Sequence, residues 1–212
     1  MSTSERKNLV HKLVTEGYIR SSEVQQAFLQ VPRELFVPES LKSHAYADMP
    51  LEIGQGQTIS APHMVAIMCE ALDVKPGQRI LEIGAGSGYH AAVMSYLVGT
   101  KGHLYSVDRL PGLAKNAQEN LAKAKITNVT VEEGDGSMGL PKYQPYDRIY
   151  VTCAAPSVPQ PLLDQLQDGG KLLIPVGHMY CDLTLIEKKG NELRSFDYGE
   201  CVFVPLIGKY GY

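Results

Sequence analysis

From about residue 78 the chain alternates short apolar runs with segments of helical periodicity, and no other feature constrains its fold as strongly. The runs are RILEIG (79–84), HLYSVD (103–108), VTVEEGD (129–135), DRIYVTCA (147–154) and KLLIPVG (171–177). Between them lie YHAAVMSYLV, PGLAKNAQENLAKA and PQPLLDQLQDGG, each with helical spacing or a helix-start signal. In the second, Pro111 suits a first turn, while Leu113, Ala117 and Leu121 recur on one face and lysines and amides cover the other. Short strands alternating with helices need right-handed crossovers, which leave neighbouring strands parallel. The expected architecture is therefore α/β, a doubly wound, Rossmann-like and mostly parallel sheet. After Gly177 the rhythm changes. LTLIEKKGNELR reads as a strand, a Lys-Lys-Gly-Asn turn and a return strand, and CVFVPLIG as a further strand, so the C-terminal edge is expected to be antiparallel.

Residues 1–58 read differently. SERKNLVHKLVTEG and SSEVQQAFLQVP have the spacing of two short amphipathic helices, with Ser21 or Ser22 placed to cap the second and Pro32 to end it. VPRELFVPE and AYADMPLEIGQGQ then read as extended or turning chain. The expected organisation is one domain over 1–212: an N-terminal helical cover (1–58), an α/β core (59–177) and C-terminal strands (178–212). A net charge of −3 and a pI of about 6.1 give no basic footprint for nucleic acid. No apolar run approaches the roughly 20 residues that span a bilayer, and MSTSERKNLVHKL lacks the apolar region of a signal peptide. Neither a nucleic-acid nor a membrane partner is expected, and the expected compartment is the cytoplasm. Cys69, Cys153, Cys181 and Cys201 are widely spaced, and the six histidines are scattered, so the reading is free thiols and no metal site.

LEIGAGSG follows the first run and opens a helix, the context in which a glycine loop binds a ligand. Its spacing, Gly84-x-Gly86-x-Gly88, departs from the G-x-G-x-x-G of nicotinamide-binding folds. Glu82, two residues before the first glycine, would repel a pyrophosphate but suits an ammonium; its plain alternative is a solvated strand-end charge. Asp108 ends the second run, where a carboxylate can accept from two ribose hydroxyls. Asp135-Gly136 ends the third, where Asp can take an exocyclic amine of adenine, or simply make a turn. Acids at three consecutive strand ends define a crevice at the carboxyl edge of the sheet. Its preference for a cation points to S-adenosylmethionine, which carries an ammonium and a sulfonium. A nicotinamide-dependent oxidoreductase is the rival, and it lacks both the G-x-G-x-x-G spacing and a Tyr-x-x-x-Lys pair. Upstream, GQGQTISAPHM gathers Gln57, Thr58, Ser60 and His63. Helix capping is the plain reading of Thr58 and Ser60, and His63 in the first helical turn is open between a structural and a cofactor-edge role.

VPRELFVP (31–38), AYADMPLEIGQGQTISAPHMVA (45–66), LEIGAGSGYHAAVMS (81–95), VEEGDGSMG (131–139), PYDRIYVTCAAPSVPQPLLDQLQDGGKLLIPVG (145–177) and CVFVPLIG (201–208) together resemble the protein-L-isoaspartate O-methyltransferases. GQTISAPHM and VTCAAPSVPQPLLDQL are the specific segments, and Ala85 stands where Thr or Ser is usual. The resemblance implies methyl transfer from S-adenosylmethionine, with S-adenosylhomocysteine as product, to the α-carboxylate of L-isoaspartyl residues in aged proteins. The ester then closes to a succinimide, whose hydrolysis restores some aspartate. The expected cofactor set is Gln57, Thr58, Ser60, His63, Glu82, Gly84, Gly86, Asp108, Arg109, Asp135 and Gly136. A carboxylate is already ionised at neutral pH, so the chemistry asks for a fixed donor and no base. Ser60 is the expected catalytic residue, orienting that carboxylate. Val204, in CVFVPLIG, is expected against an extended peptide paired by strand addition, with a buried core strand as the alternative for that run.

Overall fold

The computed structural model describes residues 2–178 and 180–212. Two helices lead, α1 (Ser2–Thr15) and α2 (Ser22–Gln30), the second capped by the Ser21 hydroxyl, which accepts from the Val24 amide. Two 3-10 turns (Arg33–Leu35 and Glu39–His44) carry the chain to a small hairpin of β1 (Leu51–Gly54) and β2 (Gln57–Ile59), followed by α3 (Pro62–Leu72). The hairpin turn holds Gly54, Gln55 and Gly56 all at positive φ, which two glycines make cheap. Then come β3 (Arg79–Ile83), α4 (Tyr89–Val98), β4 (His103–Asp108), α5 (Pro111–Lys123), β5 (Val129–Glu133), β6 (Tyr146–Val151) and α6 (Gln160–Gln165). The chain closes with β7 (Leu166–Gly177), β8 (Cys181–Lys189) and β9 (Glu192–Cys201).

The main sheet has the order β5-β4-β3-β6-β7-β8-β9. All pairs from β5 to β7 are parallel, and β7–β8 and β8–β9 are antiparallel. Because β4 and β5 extend the sheet on one side of β3 and β6 and β7 on the other, the chain reverses its direction of travel across the sheet beside β3. This is the point where an open α/β sheet leaves a crevice beyond its strand ends. Alternation along the strands sorts side chains between two cores. Ile80, Leu104, Tyr150 and Leu173 pack with α1 to α5, whereas Leu81, Val107, Ile149 and Leu172 pack with α6 and the C-terminal tail. Leu9, Val10 and Leu13 of α1 and Phe28 of α2 belong to the same buried cluster as Ala91 to Met94 of α4, so the N-terminal helices share the core of the sheet.

Two sequence expectations change. The helix expected over PQPLLDQLQDGG is only Gln160–Gln165, because Leu166 already pairs with Tyr146 and opens β7. CVFVPLIG is not a strand beyond Cys201. β8 begins at Cys181, directly opposite Cys201, so the partner backbone runs out there. The rest of the segment turns across the strand ends and meets the sheet at one bridge, where Ala154 N donates to Val204 O and Leu206 N to Ala154 O, both at 2.7 Å. Among the described residues no helix is long and apolar enough to cross a membrane.

Arg148 of β6 joins sheet to helix. Its Nε donates to Leu72 O at 2.6 Å and its Nη2 to Asp73 O at 3.3 Å, satisfying carbonyls at the end of α3. Arg148 is only 7% exposed, so its removal leaves those acceptors without a donor. Arg148→Met is expected to lower stability by roughly 2–4 kcal/mol in urea unfolding; a loss below about 0.5 kcal/mol would show that the bonds are dispensable.

Candidate active site

The ends of β3, β4, β5 and β6, the β2–α3 connection and the C-terminal tail enclose a cleft of about 800 Å³, its open mouth included. The glycine loop forms its floor. Gly84 has φ +94°, and a Cβ there would overlap the Thr152 hydroxyl, which donates to Gly84 O at 2.8 Å and Ile83 O at 3.0 Å. The loop and the end of β6 thus lock together only with glycine at 84. Ile53 of the hairpin lies over Gly86, which brings the β1–β2 unit onto the loop.

Glu82 is fully buried, which removes the reading of a solvated strand-end charge. Its register partners on the two flanking strands are Ser106 and Tyr150, and both hydroxyls donate to it, Tyr150 at 2.8 Å. Burial pushes its pKa up to about 8; the two hydroxyl donors act in the opposite direction, and Asp108 adds to the rise. Asp108 is 7% exposed and accepts from Gly86 N at 2.9 Å and Leu110 N at 3.0 Å. The glycine loop is therefore laced to the second strand end by the carboxylate expected at a ribose.

Glu82, Gly84, Gly86, Asp108, Arg109, Gly136, Gln57, Thr58, Ser60 and Val204 all line the cleft. Two expected residues stand apart. Asp135 accepts from Ser137 N at 2.9 Å, from the Ser137 hydroxyl and from Lys209 N at 2.8 Å. Its carboxylate caps a turn and ties down the tail, and Gly136 rather than Asp135 faces the cleft. His63 donates its backbone N–H to Asp48 Oδ1 at 2.9 Å, and its Nδ1 lies 2.9 Å from the same oxygen, with the ring against Tyr18. His63 is thus held by Asp48 and Tyr18 beside the cleft rather than in its lining. Helix capping by Ser60 and Thr58 does not occur either: α3 has Ala61 at its N-cap and no side-chain cap. Among the described residues the Ser60 hydroxyl has no hydrogen-bond partner, while its carbonyl accepts from Arg33 at 2.8 Å.

Sequence reasoning passed over several cleft residues. Thr152 could have been found as the polar residue ending the fourth run. Leu110 and Leu113 form an apolar wall that looked like ordinary helix start. His90 also lines the cleft; burial alone lowers its pKa to about 3, so it is neutral, and its Nδ1 has no hydrogen-bond partner among the described residues. Its ring lies 4.5 Å from that of Tyr150. No group of three or more His, Cys, Asp or Glu side chains among the described residues could hold a metal, and all four cysteines are free and buried.

A buried carboxylate without a basic partner, a second one on the adjacent strand end and a loop closed by glycine fit a ligand bearing a cation and a ribose. Fold and site together define an S-adenosylmethionine-dependent methyltransferase of the Rossmann-like class. The family model for protein-L-isoaspartate(D-aspartate) O-methyltransferase matches residues 4–211. Relatives named protein-L-isoaspartate O-methyltransferase include those of Hyperthermus butylicus, 52% identical over 98% of this chain and 90% of that protein, and of Methanopyrus kandleri, 54% identical over 98% and 93%. A solved structure of that name superposes with a TM-score of 0.90 at 34% identity, covering 97% of this chain and 67% of the other. A Plasmodium falciparum protein of the same description, solved with S-adenosylhomocysteine, gives 0.86 at 29% identity over 95% and 98%. The chain belongs to the protein-L-isoaspartate(D-aspartate) O-methyltransferase family.

Glu82 makes the ligand-free protein sensitive to pH. Its folded pKa lies near 8, above its ordinary 4.5, so its contribution to stability is complete below about pH 4.5 and is lost as pH rises through 8. Folded protein retains a proton there that the unfolded chain releases. Denaturant unfolding at pH 5 and pH 8 is expected to show stability falling with pH, with a shallower fall in Glu82→Gln; equal slopes would place the titration elsewhere.

Proposed function

We propose that this chain methylates the α-carboxylate of L-isoaspartyl residues in aged proteins, beginning their repair through a succinimide. S-adenosylmethionine supplies a methyl group on a positively charged sulfur and departs as neutral S-adenosylhomocysteine. The carboxylate is already a nucleophile near neutral pH, so the protein's task is to align it and exclude water rather than to move a proton. The site residues are consistent with that task. His90 is neutral and enclosed, and the His63–Asp48 pair is occupied at the start of α3. Holding two groups in line contributes several kcal/mol, up to roughly 7–11 in good cases.

The observation that carries this reading is the Ser60 hydroxyl, unpartnered among the described residues and facing the cleft beside the glycine loop. It orients the substrate carboxylate by donating a hydrogen bond. Glu82 faces the cofactor's ammonium and Asp108 its ribose, with Gly136, Leu110 and Leu113 around the adenine. Val204 and its neighbours form the rim on which the peptide lies. Val204 O is engaged by Ala154, so the free backbone groups of the rim, rather than that carbonyl, read the peptide. With a net charge of −3 the chain suits protein substrates in the cytoplasm, without nucleic-acid or membrane partners.

Transfer of labelled methyl to an isoaspartyl peptide tests the assignment of Ser60. Ser60→Ala is expected to lower kcat about a hundredfold, the loss typical of one well-placed donor, while calorimetric affinity for S-adenosylhomocysteine stays near wild type. A rate close to wild type would remove Ser60 from the reaction.

A further inference from the structure

Arg33, in the 3-10 turn after α2, takes no part in the chemistry just described, yet it is 0% exposed. A buried guanidinium is costly unless its donors are used. Arg33 Nη2 donates to the Ser60 carbonyl oxygen at 2.8 Å, the guanidinium also interacts with the Tyr89 side chain, and its Nε and Nη1 have no hydrogen-bond partner among the described residues. Its guanidinium carbon sits 4.8 Å from the centroid of the Tyr89 ring. Tyr89 is the first residue of α4, directly after the glycine loop, and it lines the cleft. Phe36, at the end of the same 3-10 turn, meets the Tyr89 ring edge-on at 5.7 Å.

One short turn therefore grips two parts of the site. On one side is the peptide that carries the Ser60 hydroxyl, and on the other is the helix that begins where the glycine loop ends. Among the described residues the Ser60 side chain has no hydrogen-bond partner, so its placement depends on its backbone. A planar cation suits this position because its edge can donate to a carbonyl while its face lies on an aromatic ring. An apolar side chain of similar volume would fill the space but could not hold the carbonyl.

We infer that Arg33 is a positioning residue for methyl transfer: by bridging the Ser60 carbonyl to the Tyr89 ring it fixes the Ser60 hydroxyl at a set distance from the glycine loop. The inference rests on the role of Ser60 given above. A displacement of about 1 Å in such an alignment can cost about a hundredfold in rate.

The test is a double-mutant cycle of Arg33→Met and Ser60→Ala, reading kcat and KM on an isoaspartyl peptide, S-adenosylhomocysteine affinity by calorimetry, and thermal unfolding. Arg33→Met alone is expected to lower kcat by about ten- to a hundredfold with product affinity little changed. In the Ser60→Ala background, where there is no hydroxyl to place, the same substitution is expected to change kcat by no more than about twofold, because residues that act as a unit are not additive. An equal fold-loss in both backgrounds would overturn the inference and leave Arg33 as a packing residue. A near-wild-type rate for Ser60→Ala alone would instead overturn the underlying role of Ser60. If Arg33→Met fails to fold, Arg33→Lys, which keeps the cation and a donor, enters the same cycle. It is expected to lose less kcat than Ser60→Ala and again to be non-additive with it; additive losses would count against the inference.

Discussion

The parallel pairing of β3 with both β4 and β6 is the constraint from which the site follows. It puts Ser106 and Tyr150 on either side of Glu82 in register, so a carboxylate with no basic partner can be buried at the centre of the sheet. It also brings the end of β6 against the glycine loop, where Thr152 leaves no room for a side chain at 84. The cleft lies beyond these strand ends because the chain reverses its direction across the sheet there. The cleft is thus built on strand ends, and the hairpin, α3 and the C-terminal tail complete its walls.

Most of the architecture was legible because hydrophobic periodicity reports local structure well. The five runs from residue 79 to 177 became β3 to β7, and the antiparallel edge followed the change of rhythm after Gly177. CVFVPLIG misled for a nonlocal reason. Its composition suits a strand, but whether it pairs depends on where β8 begins. The lining of the cleft was legible where a motif coincides with a strand end, as at Glu82, Asp108 and the glycine loop. It was not legible where a side chain is claimed by a distant partner. Asp135 turns to the tail through Lys209, and His63 turns to Asp48, fifteen residues upstream. Arg33 escaped notice because nothing in VPRELFVP reveals that its arginine is buried against the backbone of Ser60.

The chemistry that results is economical. A carboxylate nucleophile and a thioether leaving group need no proton transfer, and the titratable groups of the site are not arranged to provide one. Burial keeps His90 neutral, and Glu82 sits between two hydroxyls with its pKa raised towards 8. These groups shape charge and packing around the cleft. In the proposed reaction alignment falls to Ser60, whose hydroxyl has no hydrogen-bond partner among the described residues and whose carbonyl is held by Arg33.

The most direct measurement is labelled-methyl transfer to two peptides of identical composition, one with L-isoaspartate and one with L-aspartate at the same position. The account predicts rapid labelling of the isoaspartyl peptide and little of the aspartyl one, because only the first presents its α-carboxylate free for alignment at Ser60. Equal labelling of both, or labelling of neither, would contradict it.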